Sequence, residues 1–270
     1  MSKDARPCVS TKTTNIMATH KRQFGLIGGS LSHSLSQKYF TKKFAELGLT
    51  NCKYTLFPIS EVSKVTNIIS GNPNLVGLNV TSPYKETIIP FLDELDPTVL
   101  KLGTVNVIKI TRNGDYTTLK GFNTDIFGLR KTFTMLELPA DCKALILGSG
   151  GSAKTAKVAL SEMGIKSTNV SRLPSTLDEL PYKKLTPRII GDYKLIVNAT
   201  PVGMFPNVSN FPQIPYEGIT PEHICLDLVY NPSKTKFMEK CEAQGARTAN
   251  GLTMLYEQAD KAWEIWNENI

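Results

Sequence analysis

At 270 residues, 41% hydrophobic and 20% charged, the chain is long enough for two modest domains and has the composition of an ordinary globular protein. No apolar run approaches the roughly 18 residues that span a bilayer, and five cysteines without a CxxC pair argue against a disulfide framework or a zinc site. The formal charge of +7 sits largely on residues 1–22, where Lys3, Arg6, Lys12, Lys21 and Arg22 face only Asp4, and no basic stripe with interleaved aromatics follows.

These exclusions favour a cytoplasmic protein without nucleic acid, membrane or metal, and the mild positive balance suits an anionic small-molecule partner; a monomer or homodimer is the expectation for its assembly. Residues 1–22 lack apolar periodicity and an apolar leader core, so they are expected to form a disordered extension, with Met17 as an alternative start.

From residue 24 the pattern alternates strand and helix. Residues 24–27 read as a buried strand ending at Gly28-Gly29, and 36–47 as a helix stopped by Gly48. Residues 54–59 form a second strand, after which Ser60 is expected to N-cap a helix to about residue 70. Residues 76–80 form a third strand, and Thr81-Ser82-Pro83 is expected to open a helix with Pro83 in its first turn. Residues 105–110 and 116–119 flank Asn113-Gly114, a hairpin signal.

A second series begins near Asn123, with a helix over 126–136 and a short apolar strand over 144–147. A further helix ends at Met163 before Gly164; strands follow at 169–171, 195–198, 224–228 and 247–249, with a helix over 234–244. Such alternation implies a parallel sheet with right-handed crossovers. The last helix, 253–267, carries an apolar stripe of Met254, Leu255, Ala259, Trp263 and Trp266 that needs an element to pack on.

Gly148-Ser149-Gly150-Gly151-Ser152-Ala153 joins a strand to a helix, the context in which a GxGxxG/A turn binds a dinucleotide pyrophosphate. The next strand ends in Ser171-Arg172 without the acid that would hold a free ribose 2′-hydroxyl; Arg172 suits a 2′-phosphate, which points to NADP(H). Three polar segments sit where open α/β sheets bind ligands: Ser32 to Ser36, Asn79 to Lys85, and Asn123-Thr124-Asp125. Their hydroxyls, amides, one lysine and one aspartate suit a polyhydroxylated carboxylate. Taken singly, Lys85 reads as a surface lysine, Asp125 as a helix cap, the serines as turn residues and His33 as structural.

Together these segments resemble the shikimate dehydrogenase family from about residue 24 to 266. The matching motifs are SHSLS at 32–36, NVTSPYK at 79–85, TVNVI at 104–108, GFNTD at 121–125, GSGGSAK at 148–154, NATPVGM at 198–204, DLVYNPSKT at 227–235 and GLTMLYEQA at 251–259. The resemblance implies a two-domain α/β fold: a substrate-binding domain over 23–124, an NADP-binding Rossmann domain over 125–250, and a C-terminal helix over 251–270 returning to the first. It implies reversible NADPH-dependent reduction of 3-dehydroshikimate to shikimate, in chorismate and aromatic amino acid biosynthesis. Lys85 and Asp125 resemble the catalytic dyad. Ser34, Ser36, Asn79, Thr81, Asn106, Tyr230 and Gln258 resemble the substrate-binding set. Asn198, Thr200, Val202, Gly203, Met204 and Gly251 resemble the residues beside the nicotinamide.

The chain departs from the family at Ser30 and Gln37, where prolines are usual, at Val107 in place of a threonine, and at Leu173 and Thr176, where a threonine and a second arginine are frequent. Two alternatives stay open: a quinate/shikimate dehydrogenase using NAD(P), and a non-catalytic NADPH-binding sensor.

Overall fold

The computed structural model describes residues 21–268 apart from His33, Ser175, Leu177 and Asp178. The expected N-terminal extension up to residue 20, and the reading of His33, lie outside the described residues. Arg22, counted with that extension above, instead opens the first strand: its guanidinium lies 5.1 Å from the centre of the Phe24 ring and donates to Asn267 Oδ1 at 2.8 Å.

The first sheet contains β1 (Arg22–Gly28), β2 (Cys52–Pro58), β3 (Leu75–Val80), β4 (Glu94–Leu95), β5 (Val107–Asn113) and β6 (Tyr116–Phe122), in the order β2-β1-β3-β5-β6-β4. Strands β1, β2 and β3 run parallel; β5 is antiparallel to β3, and β6 to β5. Helix α1 (Ser36–Glu46) links β1 to β2, α2 (Val65–Gly71) links β2 to β3, and α3 (Pro97–Leu102) follows β4. The short α3 has clear chemical punctuation: Asp96 caps it by accepting from Thr98 N, Pro97 opens it, and Gly103 closes it in the left-handed region.

Three local expectations are corrected. Ser60 caps nothing; its hydroxyl accepts from Lys64 Nζ, and the chain passes through a 3₁₀ turn at Val62–Lys64 into α2. No helix starts at Pro83. The segment turns through a cis Ser82–Pro83 peptide, and tertiary anchors hold it: Thr81 N–H donates to Ile27 O and the Tyr84 hydroxyl to Ile59 O. In the hairpin, Asn113 pairs with Tyr116, so the two-residue loop is Gly114-Asp115, with Gly114 at φ +61°.

The second sheet is wholly parallel, in the order β12-β11-β10-β7-β8-β9. Its strands are β7 (Lys143–Leu147), β8 (Lys166–Ser171), β9 (Glu179–Pro181), β10 (Leu195–Asn198), β11 (Ile224–Asp227) and β12 (Arg247–Ala249). Helices α4 (Asp125–Met135), α5 (Gly151–Glu162), α6 (Pro187–Gly191) and α7 (Lys236–Glu242) accompany it. This is the doubly wound order, whose direction reverses between β7 and β10 and opens a crevice at their C-terminal ends. Buried strand residues fill layers on both faces: Ala144, Ile146, Val197 and Leu226 on one side with Ala153, Ala156 and Leu160 of α5, and Leu145, Leu147, Ile196 and Cys225 on the other with Phe237 of α7.

The last helix, α8 (Leu252–Asn267), packs on the first sheet. Ala259, Ala262, Ile265 and Trp266 join Phe24, Phe40, Phe44 and Tyr54 in one buried cluster. Trp266, 1% exposed, donates its Nε1–H to Ile108 O at 3.0 Å and lies flush on Gly77, where a Cβ atom would stand 2.3 Å from Nε1. Among the described residues, no helix is long and apolar enough to cross a membrane.

Candidate active site

The tight turn after β3 sets Lys85. Its backbone carbonyl accepts from Val105 N at 2.7 Å, tying the turn to the entry of β5. Asp125 is the first residue of α4, but it does not cap it: Asn123 Oδ1 accepts from Ile126 N at 3.3 Å. Both Asp125 oxygens are free to face inwards. Oδ2 accepts from Lys85 Nζ at 2.6 Å and Oδ1 from Asn106 Nδ2 at 2.9 Å. The side chains are 25% exposed for Lys85 and 11% for Asp125, so the pair is shielded yet open on one side.

Asn106, 3% exposed, is the hub. Its Oδ1 accepts from Thr124 N at 2.7 Å, and its Nδ2 also reaches Thr124 Oγ1 at 3.0 Å and Gln258 Oε1 at 3.3 Å. Gln258 is turned by its own Nε2–H bond to Leu255 O at 2.8 Å. Residues 85, 106, 125 and 258, distant in sequence, therefore meet at one point.

A second polar cluster lies on the parallel half of the sheet. Ser34 Oγ accepts from Ser36 N at 3.2 Å at the start of α1. Asn79, near the end of β3, accepts at Oδ1 from the Tyr54 hydroxyl at 2.6 Å and donates from Nδ2 to Asn106 O at 3.4 Å. Tyr54 is buried and stacked on Phe40 with ring centres 4.6 Å apart. Burial pushes its phenol well above the ordinary tyrosine range, against a hydrogen bond from Ser36, so it stays a neutral donor. Thr81 is half-buried at the head of the turn that carries Lys85. Sequence reasoning missed Tyr54; its position in β2 gives no local sign that it joins Ser36 to Asn79.

The glycine turn lies at the switch point of the second sheet. Gly148 has φ +121°, and Ser149 and Gly150 are exposed. A Cβ on Gly150 would meet nothing within 4 Å, so an open cradle lies against the backbone before α5. Gly151 and Ser152 start the helix, and Ala153 is fully buried beneath it. Exposed backbone N–H groups at a helix start suit an anionic pyrophosphate. Arg172, exposed, follows β8, which pairs with β7.

The loop after β10 is built on Asn198. Its Oδ1 accepts from Thr200 N and Oγ1 at 3.1 and 2.6 Å; its Nδ2 reaches Val202 O at 3.3 Å and Asp227 Oδ1 at 2.9 Å. Asp227, with no exposed surface, also accepts from Val229 N at 3.0 Å and Thr235 Oγ1 at 2.6 Å. Burial pushes its carboxyl up to about 6 despite these three donors. Gly203 is buried and Met204 is 46% exposed beside it. Gly251 N donates to Val229 O at 3.3 Å, and Tyr230 is half-buried nearby in sequence, its phenol pushed up by burial. An exposed ion pair, Lys154 Nζ to Glu86 Oε1 at 3.3 Å, ties α5 to the residue following Lys85.

Residues 26–108 match the family model described as the shikimate dehydrogenase substrate binding domain. A shikimate dehydrogenase (NADP(+)) of Desulforamulus reducens is 34% identical, covering 90% of this chain and 88% of its own. The chain belongs to the shikimate dehydrogenase family. The crystal structure of shikimate dehydrogenase 1 from Peptoclostridium difficile is similar at 35% identity and TM-score 0.79, covering 92% of each chain. The Thermus thermophilus shikimate 5-dehydrogenase, solved in complex with NADP(H) and shikimate, is similar at 29% identity and TM-score 0.80, covering 91% of this chain and 93% of its own. Family membership places the chain among oxidoreductases of two-domain α/β fold.

Proposed function

We propose that the chain is an NADP-dependent shikimate dehydrogenase that interconverts 3-dehydroshikimate and shikimate, on the route to chorismate and the aromatic amino acids. The observation that carries this reading is the Lys85–Asp125 pair, braced by Asn106 and open on one side.

The first sheet and α8 serve as the substrate side, and the second sheet as the cofactor side. Ser34 and Ser36 bind the substrate carboxylate; Asn79, Thr81, Asn106, Tyr230 and Gln258 hold the ring hydroxyls. The open turn from Gly148 to Ala153 holds the pyrophosphate, Arg172 the 2′-phosphate, and Asn198, Thr200, Val202, Gly203, Met204 and Gly251 the nicotinamide end. NADPH, when bound, supplies the hydride for ketone reduction. Lys85 Nζ faces the substrate oxygen, stabilises the charge that develops on it and donates its proton there. Asp125 Oδ2 holds Lys85 Nζ in place throughout. In the reverse direction, neutral Lys85 Nζ accepts the hydroxyl proton. The free thiols of Cys52, Cys142, Cys225 and Cys241 support a reducing, cytoplasmic setting for this reaction.

Arg172 carries the preference for NADP, since no acid at the end of β8 would repel a 2′-phosphate. The test is to incubate the purified protein with 3-dehydroshikimate and NADPH and identify the product by chromatography. Shikimate formed in proportion to NADPH consumed supports the reading, and NADPH binding without product favours the sensor alternative.

A further inference from the structure

Strand β8 carries a residue that its surroundings do not call for. Val170 lies in the apolar layer with Leu145 and Leu147, while Asn169, on the other face of the strand and opposite Ile146, is a buried amide at 5% exposure. Its Nδ2 donates to Gly148 O at 3.0 Å. Its Oδ1 is buried with no hydrogen-bond partner among the described residues. An unpaired buried acceptor is destabilising, so the side chain persists against a cost. Because Gly148 O is an acceptor, the amide has only one orientation that makes this bond.

The bond acts on the first peptide of the cofactor turn. Gly148 has φ +121°, and a glycine there offers little resistance to a flip of the Gly148–Ser149 peptide. That peptide is planar and trans, so its carbonyl oxygen and the Ser149 N–H point in opposite directions. Holding Gly148 O towards Asn169 of β8 turns the Ser149 N–H away from that side chain, and Ser149 and Gly150 are themselves exposed. A flipped peptide would present a carbonyl oxygen to the phosphates in place of a donor.

We propose that Asn169 is a positioning residue that locks the Gly148–Ser149 peptide with its N–H facing the dinucleotide pyrophosphate, and so sets cofactor affinity without touching the cofactor. The inference rests on the reading of the glycine turn as the cofactor site. Since pyrophosphate is common to both dinucleotides, the lock acts on NADPH and NADH alike.

The test compares full-length wild type with Asn169→Leu and Asn169→Asp, measuring NADPH, NADH and shikimate binding by calorimetry and the melting temperature. Leucine keeps the branched shape but neither donor nor acceptor. It is expected to weaken both dinucleotides about tenfold, leave shikimate binding unchanged, and hold or raise the melting temperature. Aspartate offers Gly148 O no donor and accepts from the flipped Ser149 N–H, so it is expected to weaken both dinucleotides further than leucine does. Dinucleotide binding in Asn169→Leu as tight as wild type would overturn the inference alone. So would a parallel loss of shikimate affinity and melting temperature, the mark of general loosening. A wild type that binds neither dinucleotide would overturn the cofactor reading, and this inference with it.

Discussion

Replacing Lys85 with methionine separates chemistry from binding. The change keeps the unbranched stem of the side chain and removes the ammonium. The backbone at residue 85 stays held, because its carbonyl accepts from Val105 N at 2.7 Å whatever the side chain is. The variant loses the proton donor and the positive charge beside the reacting oxygen, a loss of about 10²–10⁴ in kcat, or roughly 3–5 kcal/mol in the barrier. Asp125 keeps only the donor from Asn106 at 2.9 Å on its other oxygen, so a largely shielded carboxylate is left without its counter-ion. That costs about 1–3 kcal/mol of stability, a fall of roughly 2–10 °C in melting temperature for a chain of this size. NADPH affinity holds within about twofold, because the glycine turn is untouched. Steady-state kinetics, dinucleotide titration and thermal melting read the three quantities. A variant with kcat within about threefold of wild type would refute the role given to Lys85.

Other perturbations address the surroundings. Tyr54→Phe keeps the stack on Phe40 but frees the Asn79 amide to rotate; KM for shikimate should rise about five- to tenfold with KM for NADP⁺ unchanged, and equal effects on both would contradict a role on the substrate side. Asp227 titrates near 6 when folded and near its ordinary 3.8 when unfolded. Its contribution to stability is therefore fully present below about pH 4 and lost as pH rises through about 6, on the order of 3 kcal/mol in all. The melting temperature of wild type minus that of Asp227→Asn should accordingly fall between pH 4 and pH 7, and a difference that stays flat or grows would contradict the assignment. Gly77→Ala drives a methyl into the Trp266 ring, so α8 must shift; a loss of about 1–3 kcal/mol in denaturant unfolding is expected, and unchanged stability would show that α8 is not seated there.

Much of the fold was legible because its elements carry local signals. Apolar runs such as residues 195–198 and 224–227 have nowhere to go but a buried parallel strand, and Gly48 and Gly164 mark helix ends. The stripe on the last helix showed that it needed a partner; the aromatic cluster around Phe24 and Phe40 supplies one. Strands β4 and β9, two and three residues long, were missed because each offers the sequence only a single leucine beside a glutamate. Helix α3 was missed although Asp96, Pro97 and Gly103 spell out both its ends, since only Val99 and Leu102 of its residues are buried. Pro83 misled because its local preference for a first helical turn gave way to the anchors on Thr81 and Tyr84.

The site divides along the same line. Motifs supplied Lys85, Asp125, Asn106 and Gln258 as names, but only folding shows Asn106 bonded to both Asp125 and Gln258. Tyr54 and Asp227 act through partners 25 and 29 residues away, which no local pattern encodes. Asn169 did leave a signal, a carboxamide inside a buried strand, whose meaning depended on the backbone of Gly148.

The central claim is tested most directly by initial rates at 340 nm with shikimate or quinate paired with NADP⁺ or NAD⁺. Rapid turnover with shikimate and NADP⁺, and much slower rates in the other three pairings, is the predicted result. No turnover with shikimate by a folded protein that binds NADPH would contradict it.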